Sequence, residues 1–427
     1  MSVYFNSANN LSGDITDCLY SDNTGIKHSI SSIWGNKDNS VVKLWGKDGE
    51  KIDDPYAVAP VDAYTEWNYT LNEGENTITL NSFIGNVNSS ENVIVYSSYE
   101  VRNKRYRTKI ANNTTNSGNN YYMFASAGSK IVTVTFGNQI DFSTVKSMSY
   151  MFSACYNLTN INFGNNFNTS NITNMCSMFS GCSKLQTLDL SGFNTSHVTN
   201  MCSMFSGCSK LTSINFGDNF DTSNVTDMNS MFNNCQSFTN LNLSSFNTSN
   251  VTIMRHMFMN CQSLIDLDLS NFDTSNVTDM LFMFSHCLSL KNINVSSFNT
   301  SNVTTMNSIF RNCESLTNLD LSSFDTSNLT DMSSIFQDCK SLTDLNLSSF
   351  NTSNVTIMNG MFMDCQSLTI MDLSHFDTRN IKHMGGMFRN CKALTIIYVS
   401  ESIWKEPTEY YKKDMFTNCG TNTVTYK

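Results

Sequence analysis

Met257 to Phe282 reads MFMNCQSLIDLDLSNFDTSNVTDMLF, and Met283-Phe284 then begins the same string again. Aligned on the Phe of each Met/Ile-Phe pair, equivalent positions fall at Phe152, Phe179, Phe205, Phe232, Phe258, Phe284, Phe310, Phe336, Phe362, Phe388 and Phe416, most of them 26 residues apart. A fixed period of this size marks a stack of supersecondary units, none of which can bury its apolar face alone.

Two spacings alternate inside the unit. Val251, Met254, Met257, Phe258, Cys261 and Leu264 recur in steps of three around the Met-Phe pair, the pattern of one face of a short helical segment, and Thr252 is placed to cap it. In Leu264-x-x-Leu267-x-Leu269 the period drops to two, as in a strand. Phe272 closes the coil, and Asp273-Thr-Ser-Asn276 supplies turn residues that bond to their own backbone. The expected fold is an α/β repeat solenoid with a parallel β-sheet on one face and short helical arcs on the other, preceded by small β modules.

Outward from the repeat, the chain divides into four parts. Residues 1–56 alternate β-formers with Gly/Asn/Asp turns, as in Leu19-Tyr20, Ser32-Ile33-Trp34 and Val41 to Trp45, and read as a β-hairpin attachment module. Pro55 and Pro60 bracket a linker. Residues 62–110 form a small β leader or cap, with strands expected at Trp67 to Tyr69, Thr77 to Leu80, Val93 to Tyr96 and Tyr106 to Ile110. The solenoid runs over 121–399, with a degenerate opening unit from Tyr122 to Phe142. Residues 400–427 break the pattern at Trp404 and Pro407 before recovering Met415-Phe416, as a capping repeat should. Two steps of 27 residues, at Gly164 and Gly217, place their extra residue in a loop.

Composition excludes several classes of function. The 427 residues carry 26 Lys+Arg against 36 Asp+Glu, a net charge of -10, which disfavours a nucleic-acid backbone as partner. No run approaches the ~18 apolar residues of a membrane helix, so no membrane insertion is expected. The first basic residue, Lys27, follows Asp14 and Asp17, so no export leader is expected either.

Eleven of the fourteen Cys share one phase of the repeat, from Cys155 to Cys419, and read as a buried structural column. Side chains in one column point the same way, which is poor bridging geometry. Cys176 and Cys202, one repeat apart and off that column, are the pair to watch. The six His are scattered, with no metal-ligand pair or nucleophile motif. No enzyme activity, metal or cofactor is expected.

The string LxxLxLSxFDTSNVTxMxxMFxxC resembles the BspA-type leucine-rich repeat surface proteins, over roughly residues 120–427. The resemblance implies a leucine-rich-repeat-like solenoid that binds a host or extracellular ligand, and Trp67 to Ile110 looks like the β leader that precedes such repeats. Similar repeats occur in bacteriophage and prophage proteins, and the 1–56 module, with Ile33-Trp34-Gly35 and Val42 to Gly46, looks like N-terminal modules of tail or fibre proteins. The resulting expectation is a non-catalytic adhesion scaffold on a phage virion, made in the host cytoplasm, contacting other virion proteins through 1–56. The alternative is a bacterial cell-surface adhesin.

A repeat protein binds with its exposed columns. Between the inward strand apolars stand Asp189, Asn242, Asp268, Asn294, Asp320, Asn346, Asp372 and finally Tyr398, with a parallel turn column that includes Asp273 and Asn299. From Asn242 onward both columns alternate Asn and Asp, which keeps like charges about 10 Å apart, two strand spacings. This strip reads either as a recognition surface for carbohydrate or a basic cell-surface protein, or as a solubilising strip. Asp268 and Asp273 are the carboxylates a Ca²⁺ would use, although no run has the ligand density of a calcium loop. A second cluster, Ile253, Arg255, His256, Met259, Leu281, Phe282, His286 and Leu288, occupies phases that are polar in other copies. It reads either as a patch for a partner or a homo-oligomer, or as local packing between adjacent arcs.

Overall fold

The computed structural model describes the backbone of strands within 18–52 and residues 66–84, 91–101, 104–112, 123–124, 128–164 and 166–427. Two compact units divide the chain: residues 1–172 with 192–194, and residues 173–191 with 195–427.

In the first unit, β1 (Cys18–Ser21), β2 (Lys27–Ile30), β3 (Leu44–Trp45) and β4 (Lys51–Ile52) form an antiparallel sheet in the order β2-β1-β3-β4. The expected strand at Ser32-Ile33-Trp34 lies outside the described residues. A second sheet has the order β5-β6-β9-β8, from β5 (Trp67–Asn72), β6 (Thr77–Phe83), β8 (Ser98–Val101) and β9 (Lys104–Ile110). Between them in sequence, β7 (Glu91–Val95) leaves the leader and pairs parallel with β10 (Ile131–Phe136), which pairs in turn with β11 (Asn160–Asn162). The parallel sheet of this unit therefore begins inside the leader, with Val93 and Val95 buried beneath it. Phe124, Phe136, Phe152, Phe163 and Phe167 pack edge-on or stacked in its core.

The second unit is a stack of coils. Its strands β12 (Thr187–Asp189) and β13 (Ser213–Asn215), β14 (Asp266–Asp268) and β15 (Asn292–Asn294), and β16 (Ile370–Asp372), β17 (Ile396–Val399) and β18 (Thr425–Tyr426) pair parallel and in register, one coil apart. A second line of parallel bridges runs through Asn174, Asn200, Asp227, Ile253, Asp279 and Thr305. Inside, each repeat phase is a column of buried side chains. Phe258 and Phe284 stack at 5.7 Å, Phe284 and Phe310 at 5.5 Å, with planes nearly parallel. The thiols of Cys208 through Cys391 donate to the carbonyl of the Phe one coil earlier in the stack, as Cys287 does to Phe258 at 3.2 Å.

The helical arcs expected from the sequence are not there: no α-helix occurs among the described residues. The segment is a chain of tight turns. Met257 N–H donates to Met254 O, Cys261 N–H to Phe258 O and Leu264 N–H to Cys261 O, each at 3.2 Å. The amides between them leave the coil, so that His256 N–H reaches Leu281 O at 2.8 Å and Asn260 N–H reaches Ser285 O at 2.8 Å. Sending alternate donors sideways needs left-handed residues, and His256 (φ 57) and Asn260 (φ 61) supply them. A step of three is common to turn chains and helices, which is why spacing alone could not separate them.

Thr252, expected to cap a helix, is exposed, and its hydroxyl donates to Thr226 O at 3.1 Å in the preceding coil. The buried threonine is the one in the Asp-Thr-Ser-Asn turn. Thr274 is fully buried, donates to Asn299 O at 2.9 Å and accepts Asn299 N–H at 2.8 Å, tying two coils together. The same pair of bonds recurs at Thr222, Thr300 and Thr326.

Candidate functional site

The strand face of the second unit holds the strip. Alternation puts Leu267 inside and both its neighbours outside, so that Asp268 is exposed while Leu267 and Leu269 are buried. Each Asp or Asn of the strip turns its side-chain oxygen on the N–H two residues on: Asp189 on Ser191, Asn242 on Ser244, Asp268 on Ser270, Asn346 on Ser348 and Asp372 on Ser374 at 3.0 Å, Asp320 on Ser322 at 2.9 Å, Asn294 on Ser296 at 3.3 Å. These bonds set the orientation of the whole column. Across strands, Asp189 pairs in register with Asn215, whose amide donates to its carboxylate at 3.0 Å, and Asp268 pairs with Asn294.

A second outward row, two residues earlier, was not singled out from the sequence. Asp266 accepts from the Asn292 amide at 2.6 Å, and Asn240 bridges to Asp266. The signal was present, since both neighbours of an inward Leu on a strand must face outward. At the far end the face changes character. Ile370 is exposed, Tyr398 is half-buried, and Lys427 lies 4.6 Å from the Tyr398 ring with its amine 2.6 Å from Asp372.

The electrostatics limit the chemistry. Backbone N–H donation from Ser191, Ser270 and Ser322 holds Asp189, Asp268 and Asp320 below the usual carboxylate range, and the Lys427 amine holds Asp372 at about 2. A general acid at neutral pH needs the opposite shift. Asp338 is raised, by burial and by Asp364 one coil on, but it stands on the turn side of the coil rather than on the strip. Among the described residues, no three His, Cys, Asp or Glu side chains gather into a group that could hold a metal ion. What the strip offers is a fixed lattice of hydrogen-bond acceptors and amides.

The second cluster lies on the turn side. All eight of its residues are half-buried. The structure brings His256 and Phe282 together, rings stacked at 5.5 Å, with Arg255 3.8 Å from Asp279 and His286 Nδ1 2.8 Å from Ser285 Oγ. His256, Phe282 and His286 all occupy left-handed positions that other coils fill largely with Ser, Gly, Asn or Asp. Burial and neighbouring arginines lower both imidazoles, Arg255 acting on His256 and Arg311 on His286. An open cleft of about 800 Å³ is lined by Glu406, Glu409, Lys412, Phe416 and Tyr426, with Lys412 bonded to both glutamates at 2.8 Å. Among the described residues there is no helix long and apolar enough to cross a membrane.

Short coils stacked around one apolar interior, with Leu-x-x-Leu-x-Leu strands in parallel register, define a leucine-rich-repeat-like solenoid protein. More particularly, the chain belongs to the family described as "Mycoplasma protein of unknown function, DUF285", whose pattern matches residues 118–215, 214–320 and 306–424. That membership agrees with the BspA-type resemblance of the repeat string. No curated protein matches the chain. Among solved structures it is similar to a leucine-rich repeat protein from Bacteroides ovatus, at 18% identity over 83% of this chain and 91% of that one, with a TM-score of 0.45. A leucine rich cell surface protein from Faecalibacterium prausnitzii gives 17% identity, 86% and 94% coverage and a TM-score of 0.38. A leucine-rich repeat protein from Eubacterium ventriosum gives 17%, 75% and 90%, and 0.36.

Proposed function

We propose that this chain is a non-catalytic recognition scaffold whose strand face binds carbohydrate or a basic protein at a cell surface. One observation carries the reading. Strip residues in successive coils hold the same orientation through the same Asx bond, so an Asn or Asp side chain in one fixed pose recurs at each strand spacing along the unit, with a carboxylate at every second one. A repeating ligand meets such a face with many equivalent weak contacts, whose sum gives useful affinity. Carboxylates held in the charged state favour hydroxyl or cationic partners and repel phosphate.

A second reading, a bacteriophage fibre, tail or appendage component, draws on the likeness of the 1–56 module to tail-protein modules. In it the first module attaches to other virion proteins and the strand face meets the bacterial surface.

Binding of the purified full chain to intact bacterial cells and to an array of surface glycans tests the reading. Asp268→Arg, Asn294→Arg and Asp320→Arg together reverse the face at exposed positions and should leave the far-ultraviolet spectrum unchanged. We expect at least a tenfold loss of binding. Undiminished binding by this triple variant would remove the strand face from recognition.

A further inference from the structure

Nearly all the thiols of the second unit are sealed. Those from Cys182 to Cys391 at the repeat phase are buried, and only Cys419 is half-buried. Cys176 and Cys202 differ in place and in partner: they stand three residues before Phe179 and Phe205, half-buried on the turn side, and are bonded to each other. The local backbone explains the meeting. Asn174 and Asn200 pair across adjacent coils, and each accepts the N–H of the cysteine two residues on at 2.9 Å. Ser177 N–H donates to Cys202 O at 2.7 Å. The two cysteines are thereby held in register with Cα atoms 4.6 Å apart, within bridging range. Poor bridging geometry is expected of the eleven-cysteine column, whose members are free thiols; Cys176 and Cys202 stand off that column and are the pair the sequence singled out. In later coils the same phase carries Asn229, Arg255, Leu281, Asn307, Ser333 and Asn359, which cannot cross-link.

We propose that Cys176 and Cys202 form a redox-operated staple, closing in oxidising surroundings to lock the first two coils of the second unit while the later coils remain indifferent to redox state. Closure breaks two S–H bonds and forms one S–S bond. The two electrons and two protons pass to a low-molecular-weight disulfide such as glutathione disulfide, which leaves as two thiols; dithiothreitol reverses the step by becoming its cyclic disulfide. Two properties make the response local. In a solenoid each coil contacts only its neighbours, so a cross-link acts on the pair it joins. The remaining core thiols are shielded from both oxidant and reductant.

The test is hydrogen exchange of the folded full chain, with and without dithiothreitol, combined with alkylation of native protein and peptide mass mapping. Air-oxidised protein should show Cys176 and Cys202 unlabelled and joined. Under reductant both should take label while Cys208 to Cys391 do not, and exchange over residues 173–212 should quicken at least fivefold with residues 320–399 unchanged. The doubly substituted chain, Cys176→Ser with Cys202→Ser, should match the reduced protein and ignore dithiothreitol. Free, alkylatable Cys176 and Cys202 in air-oxidised protein would overturn the staple. So would exchange over 173–212 that is the same in both redox states.

Discussion

At the scale of single residues, the repeat is held by groups whose substitution has a computable consequence. Gly217 stands in the loop that carries an extra residue, at φ 68, and a Cβ there would lie 2.5 Å from Ser191 Cα. Because the obstruction is backbone, Gly217→Ala should destabilise by about 2 to 4 kcal/mol. Gly192→Ala, with nothing within 4 Å of its added Cβ, should change stability by less than about 1 kcal/mol. Denaturant midpoints of the two variants check the contrast. Thr274→Val keeps the volume but takes from the Asn299 N–H and C=O the partner that the buried Thr274 hydroxyl now gives them across the coil boundary. Its cost should be about 2 to 3 kcal/mol by the same measurement, well above that of an exposed Thr252→Val.

At the scale of the coil, the defining element is one layer of Met, Phe, Cys and Leu repeated against the next. The cysteine of each layer gives the alkaline stability of the unit a definite sign. Burial pushes the Cys287, Cys339 and Cys391 thiols up to about 12 from an ordinary value of 9.0. The folded state therefore keeps protons that the unfolded chain releases. Stability is full below pH 9 and falls as the pH rises from 9 towards 12, by up to about 1.4 kcal/mol per pH unit for each such thiol. Urea midpoints measured from pH 7 to 11 should stay level to about 9 and then drop. Cys339→Ala should lower the starting stability but shallow the alkaline slope. A level profile up to pH 11 would mean that the sulfurs are not sealed as described.

At the scale of the whole molecule, repetition makes length adjustable in units of 26 residues and in nothing smaller. Removing residues 279–304 should leave a folded solenoid with register intact, whereas removing 279–303 shifts every inward side chain after the cut and should abolish cooperative unfolding. The charge pattern adds a finer prediction. Cutting 279–304 sets Asp268 beside Asp320 and Asp273 beside Asp325, at one strand spacing instead of two. Cutting 279–330, two coils, sets Asp268 beside Asn346 and preserves the Asn/Asp alternation. Thermal midpoints at low and high salt should separate them, the single-coil deletion gaining more from salt because screening relieves its new carboxylate pairs.

Much of this was written in the order of residues. The 26-residue period, the inward columns of Phe, Met, Cys and Leu, and the outward Asp/Asn strip all follow from side-chain type and spacing, because burial of an apolar column depends only on which residues recur in phase. Stacking then forces the strands into parallel register. Two things depended on where neighbouring coils lie. Whether the Val251 to Leu264 segment is helical turned on the destination of its amide protons, and the next coil takes them; no pattern within one coil records an acceptor in another. Likewise Cys176 and Cys202 become partners only because two Asx turns bring their Cα atoms to 4.6 Å, a distance that belongs to the stack and not to either copy of the repeat.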